Sequence, residues 1–579
     1  MRKSIFFLFL FISASAIGQE IDTNKSIFSN SSEYRNYQEV YLSNIGHAKF
    51  HLTSPFQLNN QDFNSLFPTK SNTGTYTDVF YVLGSGRENY VDVEHHQQLG
   101  ENFFGEAKIL KTNSEGIYVN QQAQLSDFRV KLNYNPADRK YNFGANFTNY
   151  KRFNILNGGT ADSSFFALLD SNNGNLKSTF PTNFNAFPKD VSNFLDMKVM
   201  HIDFSHSFKL RNNKNDSTSY FQLSQKLSYD RTIKKIGLRN TSDFFQDYFY
   251  DSITTNDSLK LEQLSHRFSL DYVTDNVILS AGIGQNYYEY ASRAPFETHL
   301  ENLLFAQFSF NKNGLLLNSY GEFMISENGY ESFEFKNNAR YYNPSRTIFQ
   351  RFEANANIFT DLPELYLNRF QSNHFQWNTI NKRNSITQFN ISATNEIKHY
   401  GASILFENQS DAVVFDSNST PIQTNISMLG FSLHKEFWFT KWLYLTTHVH
   451  VQDIISGKAI EVPNFLTYNK LHFRGKLIKK VLTFDAGINV LYYTNFTPRN
   501  YNAAIDEFYI QTNQEVGNHP IIDLFAEFYI KKNFSFFTTM THVNSNVLTS
   551  VFGKNYLAIS NYPIQDRAFK FGFKWRLFD

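Results

Sequence analysis

Hydrophobic and polar positions alternate strictly along much of this chain. In the last thirteen residues, RAFKFGFKWRLFD, Phe569, Phe571, Phe573, Trp575 and Leu577 interleave with Lys570, Gly572, Lys574 and Arg576. A period of two gives a β-strand one apolar and one polar side. The interior repeats the pattern. Phe128, Val130, Leu132 and Tyr134 interleave with Asp127, Arg129, Lys131 and Asn133, turn at Asn135-Pro136-Ala137-Asp138, and resume at Tyr141, Phe143, Ala145 and Phe147. Met200, Ile202, Phe204, Phe208 and Leu210 precede the turn 212–216, after which Phe221, Leu223, Leu227 and Tyr229 continue the apolar face. Similar pairs flank Thr274-Asp275-Asn276, Asn311-Lys312-Asn313-Gly314, Lys479-Lys480 and Lys531-Lys532-Asn533, turns of hairpin chemistry.

Tight turns alternate with longer polar connections, roughly 151–195, 232–262, 290–299, 360–371, 409–424, 453–466, 493–518 and 544–566. Short turns on one side and long loops on the other are the habit of a transmembrane β-barrel, whose strands turn one face to lipid and one to a wet lumen. The pattern therefore predicts an all-β, antiparallel up-and-down barrel over 75–579, of about 22 strands (range 16–24), with short periplasmic turns, long external loops and both termini periplasmic. Segment 386–408 reads as one long strand or two short ones.

The N-terminus adds a compartment. Arg2 and Lys3 precede the apolar run Ile5–Ile12 and the small residues Ser13-Ala14-Ser15-Ala16-Ile17-Gly18, which predicts a signal peptide over 1–18 cleaved after Ala16 or Gly18. Residues 19–74 lack clean alternation and are expected to form a periplasmic or lumen-associated segment, too short for a separate plug domain of ~100 residues. No later stretch approaches the ~20 apolar residues of a membrane helix. The chain holds 62 Phe and 33 Tyr but is only 18% charged, and its mean hydropathy is mildly polar, as half-polar strands and polar loops require. The absence of Cys removes disulfides, lipidation cysteines and thiolate metal sites, and a net charge of +1 gives no basic excess for nucleic acid.

Several short segments carry a family likeness: Tyr41-Leu42-Ser43-Asn44-Ile45-Gly46, Thr75-Tyr76-Thr77-Asp78-Val79-Phe80-Tyr81, His96-Gln97-Gln98, Asn154 to Gly159, Ser372-Asn373-His374-Phe375-Gln376-Trp377, and Gly553-Lys554-Asn555-Tyr556 to Asp579. In these the chain resembles the putative outer-membrane β-barrel porin family of Bacteroidetes-type Gram-negative bacteria. The aromatic ending Phe569, Phe571, Phe573, Trp575 and Phe578 is likewise similar to the C-terminal insertion signal of outer-membrane barrels, with Asp579 following it. The resemblance implies a barrel that passes small solutes and brings no catalytic motif.

Candidate chemistry is sparse. Arg129, Lys131, His448, His450, Lys570, Lys574 and Arg576 fall on the polar phase and are expected to face the lumen. His448 and His450 share a strand face at a spacing that two metal-bound imidazoles need, but no third ligand lies nearby; His95 and His96 point to opposite faces. Neither pair predicts a metal site. Ser205-His206-Ser207 interrupts an apolar face without a Gly-x-Ser-x-Gly elbow, so no catalytic residues are assigned. Phe437-Trp438-Phe439 with Trp442-Leu443-Tyr444, and Tyr287-Tyr288 with Tyr290, read as interfacial girdles, with a sugar-stacking track as the functional alternative. Loop 151–195 carries Asp162, Asp170, Lys177, Lys189 and Asp190, which would line a constriction if it folds inward.

The expected activity is passive diffusion of small hydrophilic solutes or ions, with no cofactor and no enzymatic role. A surface receptor or adhesin with a blocked lumen is the alternative, and a barrel enzyme a third. Expected partners are outer-membrane lipid, the barrel-assembly machinery and the solutes themselves; a homo-oligomer is left open.

Overall fold

The computed structural model describes residues 75–579 except 117–121, 137–139, 157–192, 214–215, 240–244, 246, 294–296, 328–330, 362–364, 380–381, 458–459, 480, 532, 546–556, 560–561, 565–566 and 579. The candidate constriction residues Asp162, Asp170, Lys177, Lys189 and Asp190 lie outside the described residues, as do 1–74 with the expected signal peptide. Among the described residues one antiparallel sheet holds 24 strands. Two of them, Asn500–Asn502 and Glu507–Tyr509, form a hairpin that meets the sheet through a parallel bridge from Phe415 to Tyr509. The other 22 make a closed wall, because the first strand, Tyr76–Gly84, pairs along its whole length with the last, Ala568–Phe578. Closure leaves no unpaired backbone edge, the condition for strands to stand in hydrocarbon.

Alternation sets the two faces. Phe128, Phe204, Phe208, Phe569 and Phe571 are exposed, while their neighbours Asp127, Asp203, Ser207 and Lys570 are buried on the inner side. A water-soluble core would reverse that arrangement. Segment 386–408 is two strands, Asn384–Asn395 and Tyr400–Phe415, joined by a turn at 396–399. Asn313 and Gly314, with φ of 52° and 79°, make the two-residue turn between Glu297–Lys312 and Leu315–Ser326. Positive φ at both places is what a hairpin turn matched to strand twist demands.

The expected long connections change at their edges. Strands Phe194–Asn213, Asp216–Arg239 and Thr254–Val273 run for 20, 24 and 20 residues. Crossing hydrocarbon takes only about ten residues per strand, so these three rise above the membrane on the external side and shorten the 232–262 connection to 240–253. The 290–299 connection shrinks to 292–296. The 360–371 connection is longer than its polar stretch suggests, 362–383, and holds a helical turn Leu365–Asn368 and a small hairpin, Arg369–Gln371 with Gln376–Asn378.

Candidate functional site

The inner wall is the surface on which any solute passage depends. Many of its charged groups come paired, along one strand or across the sheet. Lys570 Nζ meets Glu88 Oε2 at 2.8 Å, Arg129 meets Asp127 at 2.7 Å, and Arg576 meets Asp78 at 2.5 Å. Lys108 sits 3.3 Å from Asp92 and 3.5 Å from Glu94. Lys574 lies over the Phe80 ring at 5.2 Å, and Lys131 stands in register between Glu106 and Asn146. His448 and His450 are both buried and alternate with the outward Val449 and Val451. His450 Nδ1 is 2.8 Å from Ser432 Oγ, and His448 stacks on His434 across the strand pair at 5.8 Å. Phe569, Phe571 and Trp575 are exposed on the outer face and Phe573 is half-buried there; nothing is described of the Phe578 side chain.

Among the described residues, one group of three donors lies close enough to share an ion: Glu94, His96 and Glu106, within 4.8 Å of one another. Glu106 stands directly opposite His96 on the next strand, a pairing that spacing within one strand does not reveal. His96 Nε2 already meets Glu94 at 2.6 Å and Tyr76 stacks on its ring, so the group is satisfied as it stands. His206 points outward, whereas Ser207 is buried inward, so the two do not face a common substrate.

The external mouth differs from the rest of the lumen. Toward the outer ends of the long strands the inward phase turns apolar at Leu195, Met197, Ile236, Leu238, Leu259, Val413 and Phe415, all buried. Apolar residues facing a lumen need something to pack against, and two connections supply it. From 494–520, Ala503, Ala504 and Ile505 at the hairpin tip join these residues; from 362–383 come Tyr366, Leu367, Phe370 and Trp377. Trp377 stacks on Phe370 at 4.5 Å and donates its indole N–H to the Tyr366 carbonyl at 2.8 Å.

Polar bonds fix both segments to the wall. Asp506, fully buried, accepts from Tyr501 Oη at 2.8 Å and meets Lys234 Nζ at 3.3 Å and Arg152 at 3.7 Å. Lys234 and Arg152 project inward from the wall strands Asp216–Arg239 and Tyr141–Ile155, and Tyr366 donates to Glu507 at 2.9 Å, which ties the two segments together. Asn373 is fully buried and its side chain bonds to the backbone of Tyr250 and Asp251 and to Thr255 Oγ1. Its own N–H donates to Asp257 Oδ2 at 2.9 Å. Between the segments and the wall remains a cavity of about 20 Å³, lined by Lys234, Asp257, Tyr366, Trp377, Ile505 and Glu507, room for little more than a water molecule.

This architecture has counterparts. A model of the family described as "Putative porin" matches residues 13–579. The chain belongs to that porin family. No curated protein matches it in sequence. The porin-family barrel is similar in fold to the siderophore receptor PirA of Acinetobacter baumannii (TM-score 0.59, 10% identity, 88% of this chain and 81% of that one). It is also similar to the FrpB iron transporter of Neisseria meningitidis (TM-score 0.57, 10% identity, 88% and 82%). At such identity the likeness shows the fold alone. Family and fold together place this barrel in the outer membrane.

The in-folded segments 362–383 and 494–520 were not expected from the sequence; that expectation fell on 151–195 for its length and charge, whose candidate residues lie outside the described ones. The available signal was the apolar hairpin tip Ala503-Ala504-Ile505, together with inward-phase Ile236, Leu238, Val413 and Phe415 beyond the membrane belt. Tyr290, expected in a girdle, belongs to this mouth core, whereas Tyr287 faces outward; Trp438, Phe439 and Trp442 are exposed at the turn 439–442 on the periplasmic side.

Proposed function

We propose that this porin-family barrel passes small hydrophilic solutes or ions passively across the outer membrane, through a lumen narrowed at its external mouth by 362–383 and 494–520. The observation that carries the reading is the inner wall itself: row upon row of paired charges and amides such as Asp92–Lys108, Gln388–Glu407 and Asn146–Asp203, a surface suited to hydrated solutes and to no single ligand. The chain reaches this location with an N-terminal leader over 1–18 removed, and its aromatic last strand offers the insertion signal to the barrel-assembly machinery. Purified barrel in a planar bilayer is expected to give stepwise, steady conductance; a membrane that stays silent at all voltages refutes the reading.

A receptor with a blocked lumen is the second reading, favoured by the ion-locked segment at the mouth and by fold neighbours whose names are those of a siderophore receptor and an iron transporter. The two separate on a variant with 499–511 replaced by a short Gly-Ser linker. A blocked receptor conducts only after that replacement, whereas a diffusion channel conducts before it and carries severalfold more current afterwards.

A further inference from the structure

The outer face of the barrel carries a row of polar side chains where lipid should meet only apolar ones. His206, Gln225, His266, Gln285 and Asn302 occupy five consecutive wall strands, all on the outward phase. His206 Nε2 is 2.8 Å from Gln225 Oε1, Gln225 Nε2 is 2.7 Å from His266 Nε2, and Gln285 donates to Asn302 Oδ1 at 2.9 Å. His266 and Gln285 stand directly opposite each other. Above and below the row the outward residues are Phe204, Phe208, Leu227, Leu264, Phe268, Ile283, Tyr287 and Leu304, so the row lies inside the apolar belt, with one apolar layer between it and the outward Glu262 and Glu289 at the external margin. It ends against Phe143 on one side and Ile325 on the other.

Polar groups in hydrocarbon have no water to fall back on, and each unmade hydrogen bond is a substantial penalty. The internal bonds satisfy part of the row's capacity. A primary amide has two N–H donors and a carbonyl with two lone pairs, and Gln285 and Asn302 each make one side-chain bond here. Polar side chains at membrane depth are satisfied most readily against other protein in the membrane.

We infer that this row is the centre of an interface with a second copy of the same barrel. Its chemistry selects that partner. The row is uncharged, which offers nothing to an anionic headgroup or to a charged partner. It holds donors and acceptors in equal standing, so a copy turned by a twofold axis presents the complementary groups. Five strands at about 4.8 Å spacing give it a width of roughly 20 Å, flanked by large apolar side chains that pack against their own counterparts.

The chain has no cysteine, so one introduced thiol reports cleanly. Gln285→Cys in outer membranes, treated with a short bis-maleimide, is expected to yield a covalent dimer of this chain, while Leu471→Cys, exposed on a strand away from the row, stays monomeric. Native mass spectrometry of the detergent-solubilised barrel is expected to show a dimer that falls to monomer, at least tenfold, in the triple variant Gln225→Leu, Gln285→Leu, Asn302→Leu. That variant presents a more apolar belt to lipid, so it keeps the heat-modifiable migration of a folded barrel. A monomeric unsubstituted protein, an oligomer that survives the leucine variant, or Gln285→Cys captured by a different protein each overturns the inference.

Discussion

Asn373 and His374 show how one residue decides whether the mouth holds its shape. The Asn373 amide is buried and uses both ends: its oxygen accepts the Tyr250 and Asp251 N–H groups at 3.1 and 3.0 Å, and its nitrogen donates to the Asp251 carbonyl at 2.8 Å. Asn373→Ala strands those backbone groups, at about 1–3 kcal/mol for a buried unsatisfied partner. Asn373→Asp is expected to do more harm, since a carboxylate would face the Asp251 carbonyl with no proton to offer. Limited proteolysis at 247–253 measures both, and equal resistance of the two variants and the parent contradicts the assignment. His374 adds a pH term. It lies between the Phe245 ring, 4.3 Å away, and Tyr248, accepts or donates at Thr255 Oγ1 within 2.7 Å, and faces Asp257. Burial pushes its pKa below the ordinary 6.5. The unfolded segment therefore binds a proton more readily than the folded one, so the contribution is intact above pH 6.5 and is lost as pH falls below it. Cleavage at 247–253 is expected to accelerate between pH 7 and pH 5 and to become flat in His374→Gln; a parent already flat over that range removes His374 as the cause.

At the scale of elements, the hairpin 500–509 is held by charge as well as by its apolar tip. Asp506 adopts a left-handed φ of 59° at the turn and faces Lys234 and Arg152, both buried. Removing the carboxylate would leave two cations in a poorly hydrated place, a penalty of about 3–5 kcal/mol for a broken buried pair. The hairpin is then expected to leave the wall, so Asp506→Ala raises single-channel conductance above that of the parent, while Lys234→Met with Asp506→Leu, which removes charge of both signs, returns it toward the parent value. Unchanged conductance in Asp506→Ala shows that the hairpin does not limit flow. A turn gives an independent check. A Cβ on Gly314 would lie 2.1 Å from the Tyr342 carbonyl, so Gly314→Val is expected to lower the urea midpoint of unfolding, with Leu317→Val, at a half-buried outward position of the next strand, as a control.

These elements also mark what the sequence could tell. Strand existence, the two faces and the short turns were legible because period-2 alternation is a local signal, complete in ten residues such as 568–577. The in-folded mouth was not, because it rests on pairs such as Lys234 with Asp506 and Asn373 with Asp257, more than a hundred residues apart. The motif Ser372-Asn373-His374-Phe375-Gln376-Trp377 carried the family resemblance without its reason; the fold supplies one, since Ser372 and Asn373 are fully buried where two external connections meet. Likewise, His206 was visible as an interruption of an apolar face, but only strand register aligns it with Gln225, His266, Gln285 and Asn302.

For the whole molecule, the distribution of charge predicts how a current would divide between ions. The chain carries 54 Lys and Arg against 53 Asp and Glu, and the described lumen repeats that balance locally where Lys570, Arg129, Arg576 and Lys108 each stand within a few ångströms of a carboxylate. Paired charges at such separations present little net field to a passing ion beyond a Debye length of about 10 Å at 0.1 M salt. A tenfold KCl gradient across a bilayer holding the barrel is therefore expected to give a reversal potential close to zero. Neutralising one member of a pair unmasks the other: Asp92→Asn leaves Lys108 with Glu94 as its remaining acidic partner and shifts the reversal potential toward anion preference, whereas Lys108→Met shifts it toward cations. The opposite signs of the two shifts are the decisive feature, because a mere change in pore width moves conductance without moving them apart. If both variants reverse at the same potential as the parent, the sector around Asp92 and Lys108 does not lie along the path that ions take.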